Sequence, residues 1–555
     1  MDIGAFQAKE IVFECPKDHT IFSSSQLRSL APHKGTYGFD VIEYIGKELF
    51  VHCRNEREIK NDLEYRNIFV SQREIGYLGR KFVIYLALAH AESQKDLVQS
   101  MEKRGGYVLH VDGTCEGDSP HLFCGQDGIT ELVLDNIKIP SEKKELLVPF
   151  LQRIRRLYGD PVALVHDMGI GILQAVEEVF PGLPDFICHF HFLRDVGKDL
   201  LLDDYQVIIQ RLKKHKVRKL LRQKARYLKN KIAPDTKRAS ELKVALENGD
   251  LHPSSFEHIP ALTMYTLILW IFEASQQSRG YGFPFDRSHL EFYRRLETVN
   301  GLLQDISNIH LRNKAKDNRP FIQTNKLLKE IMADKKLNNA VADMSEKAEV
   351  FDKLREALRI ANPEGEEGLN DDGLETDIKT IEAQVSKFKE WLIDDASRKT
   401  TYRKMIEQID KYWEKLFADP LIVDTSDGPV MITPQRTNNM LERFFRGEKR
   451  RARKKSGTAS LNKTLKTILA DTPLVRNLEN EEYQQIILNG CSSLAERFSQ
   501  IEAKLVQDHL KEAEKNQEKI LPEVKKLIRQ TDLPEKISAL FYNLSNFNAN
   551  CHFLS

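Results

Sequence analysis

The feature that most constrains this 555-residue chain is a change of hydrophobic period at Gly105. Upstream, apolar residues recur at helical spacing. Downstream, YVLHVDGT (107–114), PHLFCGQDG (120–128) and ELVLDNIKI (131–139) read as strands separated by polar, Gly-containing turns. SEKKELLVPFLQRIRRLYGD (141–160) is amphipathic at helical spacing, with Ser141 as candidate N-cap and Gly159 as stop. PVALVHDMG (161–169) is apolar enough to be a central strand. A helix (170–184) and a fifth strand, DFICHFHF (185–192), follow.

The order β-β-β-α-β-α-β within about 90 residues is the layout of an RNase H-like domain. The expected fold class is therefore α/β, an RNase H-like mixed sheet with a large all-α insertion and helical N- and C-terminal regions. Residues 1–35 read as a loop or a degenerate zinc-ribbon remnant. Residues 36–104 read as helical and compatible with a helix-turn-helix, whose DNA-facing residues would be Tyr77, Arg80 and Lys81. The core's first part spans 105–200, the helical insertion 201–425, the core's last part 426–460, and a helical C-terminal region 461–555.

A net charge of +1 conceals strong segregation. Residues 211–231 hold eleven Lys or Arg and no acid, and 443–455 hold eight with one Glu. Residues 363–377 hold seven acids and no base. Local patches, not the total, decide whether a polyanion binds. The run 211–231 suits nucleic-acid contact beyond what solubility needs, although a basic helix face can simply be solvated. Trp270 lies in an apolar run and reads as core, while Trp391 and Trp413 read as core or interface. The seven scattered cysteines do not form a disulfide framework, and no apolar run is long enough to span a membrane. The Met1 end lacks a signal-peptide pattern. Together these lead us to expect a cytoplasmic protein.

Asp112 in HVDGT and Asp167 in VHDMG sit at strand ends that this order can place side by side. Converging carboxylates suit hard divalent cations, and a pair of such ions suits phosphoryl transfer. A third acid should come from a later helix. Glu442 in TNNMLERFFRGEKRR is the best candidate, with Asn438 or Asn439 as cap and a basic cluster directly after it. Glu116 and Asp118 compete with it. Taken singly, an Asp-Gly at a strand end is most often only a turn.

HVDGT, VHDMG, FICHFHFLRDVGK and TNNMLERFFR together resemble the catalytic core of bacterial insertion-sequence DDE transposases, related to the Mutator-like and hAT-like groups. The resemblance covers residues 105–200 and 430–455. It implies that Asp112, Asp167 and Glu442 hold two Mg²⁺ or Mn²⁺ ions. It implies that Cys188 and His191, matching a Cys-x-x-His, support the active site. Arg443, Arg446, Lys449, Arg450 and Arg451 would bind DNA phosphates. The partners implied are double-stranded DNA, at the element's ends and at the target, and further copies of the chain in a dimer or larger assembly. The protein would be nucleoid-associated. Zinc is not expected, because Cys188 and His191 alone do not close a tetrahedral site. The resemblance departs at the N-terminus, where such transposases often carry a zinc ribbon and this chain has only Cys15 and His19. The alternatives are an RNase H-like nuclease without strand transfer and a transposase-derived DNA-binding protein.

Overall fold

In the computed structural model, five strands form one mixed sheet: β1 (Val108–Thr114), β2 (His121–Asp127), β3 (Val133–Ile139), β4 (Ala163–His166) and β5 (Asp185–Ile187). The spatial order is β3-β2-β1-β4-β5. The β1–β2 and β2–β3 pairs are antiparallel, whereas β4 runs parallel to both β1 and β5. The structure describes residues 4, 6–19, 21–22, 24–32, 35–232, 236–248, 259–274, 281–310, 319–360, 378–417, 419–457, 460–515, 522–527 and 530–540.

The two faces of the sheet do different work. Leu109 and Val111 of β1 join Phe123 and Leu164 in a core closed by Leu147, Phe150 and Ile154 of helix α1 (Lys144–Tyr158) and by Ile172 and Val176 of helix α2 (Ile170–Val179). His110 and Asp112 alternate to the other face, as strand geometry requires. On that face Val108 and Val165 pack against Ile432 of a separate hairpin, Leu421–Thr425 with Gly428–Ile432. The segment PVMITP thus belongs to a second, two-stranded sheet and adds no strand to the first.

The first core does not stop at the sheet. It runs without a break through the helix Gln72–Glu92 and into residues 474–506. His90 sits at this junction, with Nδ1 3.0 Å from the Tyr483 hydroxyl and Nε2 2.8 Å from the Tyr158 hydroxyl. Asn477 continues the edge of β3: its Oδ1 accepts from Val133 N–H and its Nδ2 donates to Val133 O, both at 2.8 Å. The N- and C-terminal helical regions, separate stretches of sequence, therefore share one core with the sheet. Ser71 caps the helix Gln72–Glu92 as expected, accepting from Glu74 N–H at 3.1 Å. Phe82 to Leu86 and Leu88 to His90 of that helix are buried, while Tyr77, Arg80 and Lys81 are partly exposed, with Lys81 over the Tyr77 ring.

The fifth strand is shorter than its sequence suggests. It ends at Ile187, and His189 opens a 26-residue helix, α3 (His189–Lys214). Phe190, Leu193, Val196, Leu201, Tyr205, Ile208 and Leu212 are buried along it at helical spacing. That long period outweighs the brief alternation in CHFHF. Gly197 on α3 meets Pro284 and Phe351 so closely that a Cβ there would lie 2.4 Å from a Pro284 ring carbon. The described helices between residues 189 and 416 pack into a helical body with its own core. Ser141 is not a cap, since α1 starts at Lys144, but Gly159 does stop it, with φ +80°. Residues 11–35 contain a short hairpin, Phe13–Glu14 with Ile21–Phe22, and a helix, Ser25–Leu30. In that hairpin His19 pairs with Glu14. Trp270 is 41% exposed under the Arg295 guanidinium, not in the core, while Trp391 and Trp413 pack against the helical body. Among the described residues, no helix is long and apolar enough to cross a membrane. The acidic stretch 363–377 lies outside the described residues.

Burial lowers the pKa of His90 from its ordinary 6.5 to about 4, so the folded protein keeps this ring neutral. The unfolded chain takes up the proton near pH 6.5. The stabilising difference is therefore complete above pH 6.5 and is lost as the pH falls toward 4. His110, at about 4, and His189, at about 3, act in the same direction, both through burial first. We expect the melting temperature to drop steadily between pH 6.5 and 4, and less steeply in His90→Gln. A flat profile over that window would contradict this account.

Candidate metal centre

Register brings the two aspartates together. Val111 of β1 pairs with His166 of β4 in parallel, so the next residues, Asp112 and Asp167, leave neighbouring strands side by side. Each carboxylate is fixed by a glycine amide just beyond it. Gly113 N–H donates to Asp112 Oδ1 at 2.7 Å, and Gly169 N–H donates to Asp167 Oδ1 at 2.8 Å. On the other side of β4, His166 pairs with Ile187, after which Cys188 caps α3 and His191 lies in its first turn. Donor atoms of Asp112, Asp167 and His191 all lie within 4.8 Å of one another.

The electrostatics of this group favour a cation. Asp112 is 5% exposed. Burial raises the pKa of Asp167, and the nearby Glu142 carboxylate raises it further against the Gly169 hydrogen bond. Burial lowers His191 to about 3, with Arg194 and Lys198 adding to the effect, so its ring is neutral and able to donate a lone pair. Two carboxylates and a neutral imidazole fit a divalent ion. The imidazole broadens the fit from Mg²⁺ toward Mn²⁺, and Zn²⁺ lies within the same ligand range. Glu142 adds a third negative charge nearby, held by His121 at 2.9 Å. It stands against Gly113, where a Cβ would lie 2.4 Å from Glu142 Oε1, so only glycine fits beside Asp112 without displacing it.

A helix returns to this place after the long helical excursion. Helix α4 (Asn439–Ser456) packs Leu441 and Phe445 on Leu122 and Cys124 of β2, and Cys124 is the cross-strand partner of Asp112. Asn438, which precedes α4, is fully buried and binds three ways. Its Oδ1 lies 3.0 Å from His110 Nδ1, its Nδ2 donates to Val111 O at 3.1 Å, and its N–H donates to Cys188 Sγ at 3.2 Å. Asn438 does cap α4 by position, but its side chain serves β1 and not the helix. Glu442 and Arg443 lie on α4, and their side chains are outside the described residues.

The remaining expected residues divide. Arg446, Lys449 and Arg450 are exposed on α4, whereas Arg451 is mostly buried and paired with Glu448 at 2.8 Å and Glu479 at 3.5 Å. Glu116 and Asp118 turn away from the centre and tether the segment after α4. Glu116 accepts from Leu461 N–H at 2.9 Å, and Asp118 pairs with Lys466 at 2.8 Å. Sequence reasoning gave His191 a supporting place and did not assign Asn438 or His110 any role beyond a cap. The hint for His191 was its i,i+3 spacing from Cys188, which on a helix start sets both toward one side. Among protein-family models and curated protein sequences, none matches the chain.

Removing His191 tests the donor set directly. Titration calorimetry with Mn²⁺ should show binding weakened by at least roughly 10–100-fold in His191→Ala, the range already seen when only a residue that orients a ligand is lost. Asp167→Asn should weaken it at least as much. Equal affinity in the parent and His191→Ala would remove the imidazole from the site.

Proposed function

We propose that the chain is a DDE-type DNA transposase with an RNase H-like core, cutting phosphodiesters at the ends of a mobile element and joining the 3′-OH to target DNA. The observation that carries this reading is the convergence of Asp112 and Asp167 on adjacent parallel strands, with the Glu442 helix docked on the same face of the sheet. The sheet order and the long helical body between β5 and α4 support it, as does the resemblance of HVDGT, VHDMG, CHFH and TNNMLERFFR to insertion-sequence transposases.

In this reading Asp112, Asp167 and Glu442 hold Mg²⁺ or Mn²⁺, and His191 supplies a further donor. Such ions polarise the scissile phosphate and lower the pKa of the attacking water or hydroxyl. The chain's own residues do the positioning. The Gly113 and Gly169 amides fix the carboxylates. Asn438 and Cys188 lock α4 and α3 against β1. Arg446, Lys449 and Arg450 hold backbone phosphates as the helix leaves the site, an arrangement that sets register without reading sequence. Two element ends must be brought together, so the working form is a dimer or larger.

The test uses purified full-length protein, Mg²⁺ or Mn²⁺, labelled DNA from the flanks of its own gene and a plasmid target. We expect joined products, with Asp112→Ala, Asp167→Ala and Glu442→Ala each abolishing cleavage, since each removes a carboxylate that would hold the ions. Cleavage without joining would favour a nuclease. DNA binding without metal-dependent cleavage would favour a transposase-derived binding protein.

A further inference from the structure

Helix α3 ends at Lys214, and after a left-handed residue at Lys216 (φ +52°) the chain enters helix α5 (Val217–Lys231). Its inner face is fixed by Val217, Leu221 and Leu228, all 0% exposed, packed in the helical body against the helix Ile259–Glu273. Lys219, Arg222, Arg226 and Lys229 follow one another at three, four and three residues and are all exposed. At 100° per residue they share a strip on the side opposite the buried residues. Lys213, Lys214 and Lys216 are exposed just before it and extend the same charge.

Little offsets these charges. Residues 211–231 contain no acid. Asp334, beside the end of α3, is taken by Arg211 at 2.6 Å and His215 at 2.7 Å. Arg218 and Arg222 lie over the Phe292 and Phe272 rings. Among the described residues, Lys219, Arg226 and Lys229 are in no ion pair. Like charges three and four residues apart destabilise a helix, so this strip gains stability when a polyanion lies along it.

We propose that the outward face of α5 is a second nucleic-acid surface, separate from the metal centre, that grips the phosphate backbone of duplex DNA. The strip from Lys219 to Lys229 is about 15 Å long. One strand of a duplex presents a phosphate about every 3.4 Å along its axis, so the strip faces about four of them. Lys219, Arg226 and Lys229, exposed along one face and in no ion pair, with Arg222 beside them over the Phe272 ring, present a line of cations that fits a regular backbone better than an irregular acidic protein surface. The choice of DNA follows the function proposed above, but the surface does not depend on the metal chemistry.

The experiment measures binding of a fluorescent 30-base-pair random duplex by the full-length protein carrying Asp112→Ala and Asp167→Ala, in EDTA, across a range of salt. Adding Lys219→Ala, Arg226→Ala and Lys229→Ala should weaken binding by about 10-fold or more. It should also reduce the slope of log K against log salt by about 2–3, near 0.9 for each phosphate that is no longer neutralised. A melting temperature no lower than the parent's shows that the triple variant is folded, since all three side chains are exposed. Equal affinity and slope with and without the triple substitution would overturn the proposal. So would preferential binding of a peptide of residues 363–377, which would assign this face to the chain's own acidic stretch. Loss of cleavage in Asp112→Ala bears only on the metal centre, so the two readings fail independently.

Discussion

The side chain of Asn438 holds together segments that the sequence keeps far apart. It meets His110 and the Val111 carbonyl on the strand that presents Asp112, while its backbone amide reaches Cys188 at the head of α3. A fully buried amide is stable only when its polar atoms are paired, and removing one partner costs the desolvation of the other. Each of these contacts is therefore held in place by the rest. Without the asparagine side chain, α4 would lose its hydrogen bonds to His110 and the Val111 carbonyl on β1, while the Leu441 and Phe445 packing and the Arg451–Glu479 pair would remain.

The same junction explains how a chain can insert so much between one strand and the next core element. His189 N–H donates to Arg436 O at 2.9 Å, close to the Asn438–Cys188 contact. The excursion thus leaves and returns at hydrogen-bonded neighbours. Closing a long loop costs only slightly more than closing a short one. The helical body offsets that cost with a core of its own, distinct from the one under the sheet.

Much of the sheet was legible because its information is local. Period-two alternation, turn residues and apolar β4 gave the succession of strands, which allowed Asp112 and Asp167 to lie side by side; the parallel pairing of β1 with β4 is what brings them together. The end of β5 was misread, because CHFHF alternates for a few residues while the helical repeat that governs it extends to Leu212. Asn438 and His110 were opaque for a different reason. They stand more than 300 residues apart in the chain, and a lone buried asparagine carries no periodic signal. The N- and C-terminal helices likewise looked like separate regions, since nothing local to His90 announces Tyr483. Trp270 sat in an apolar run, yet its partner proved to be the cation of Arg295.

Helix α3 carries a mechanical consequence. It begins at the metal centre with His191 and ends beside the basic strip, and its 26 residues span about 39 Å without a proline. The rod is held along its length, by Gly197 wedged against Pro284 and Phe351 and by Leu201, Tyr205, Ile208 and Leu212 buried beyond it. The candidate ligand His191 and the basic strip thus lie toward opposite ends of one packed element, and their separation is set by the length of that helix.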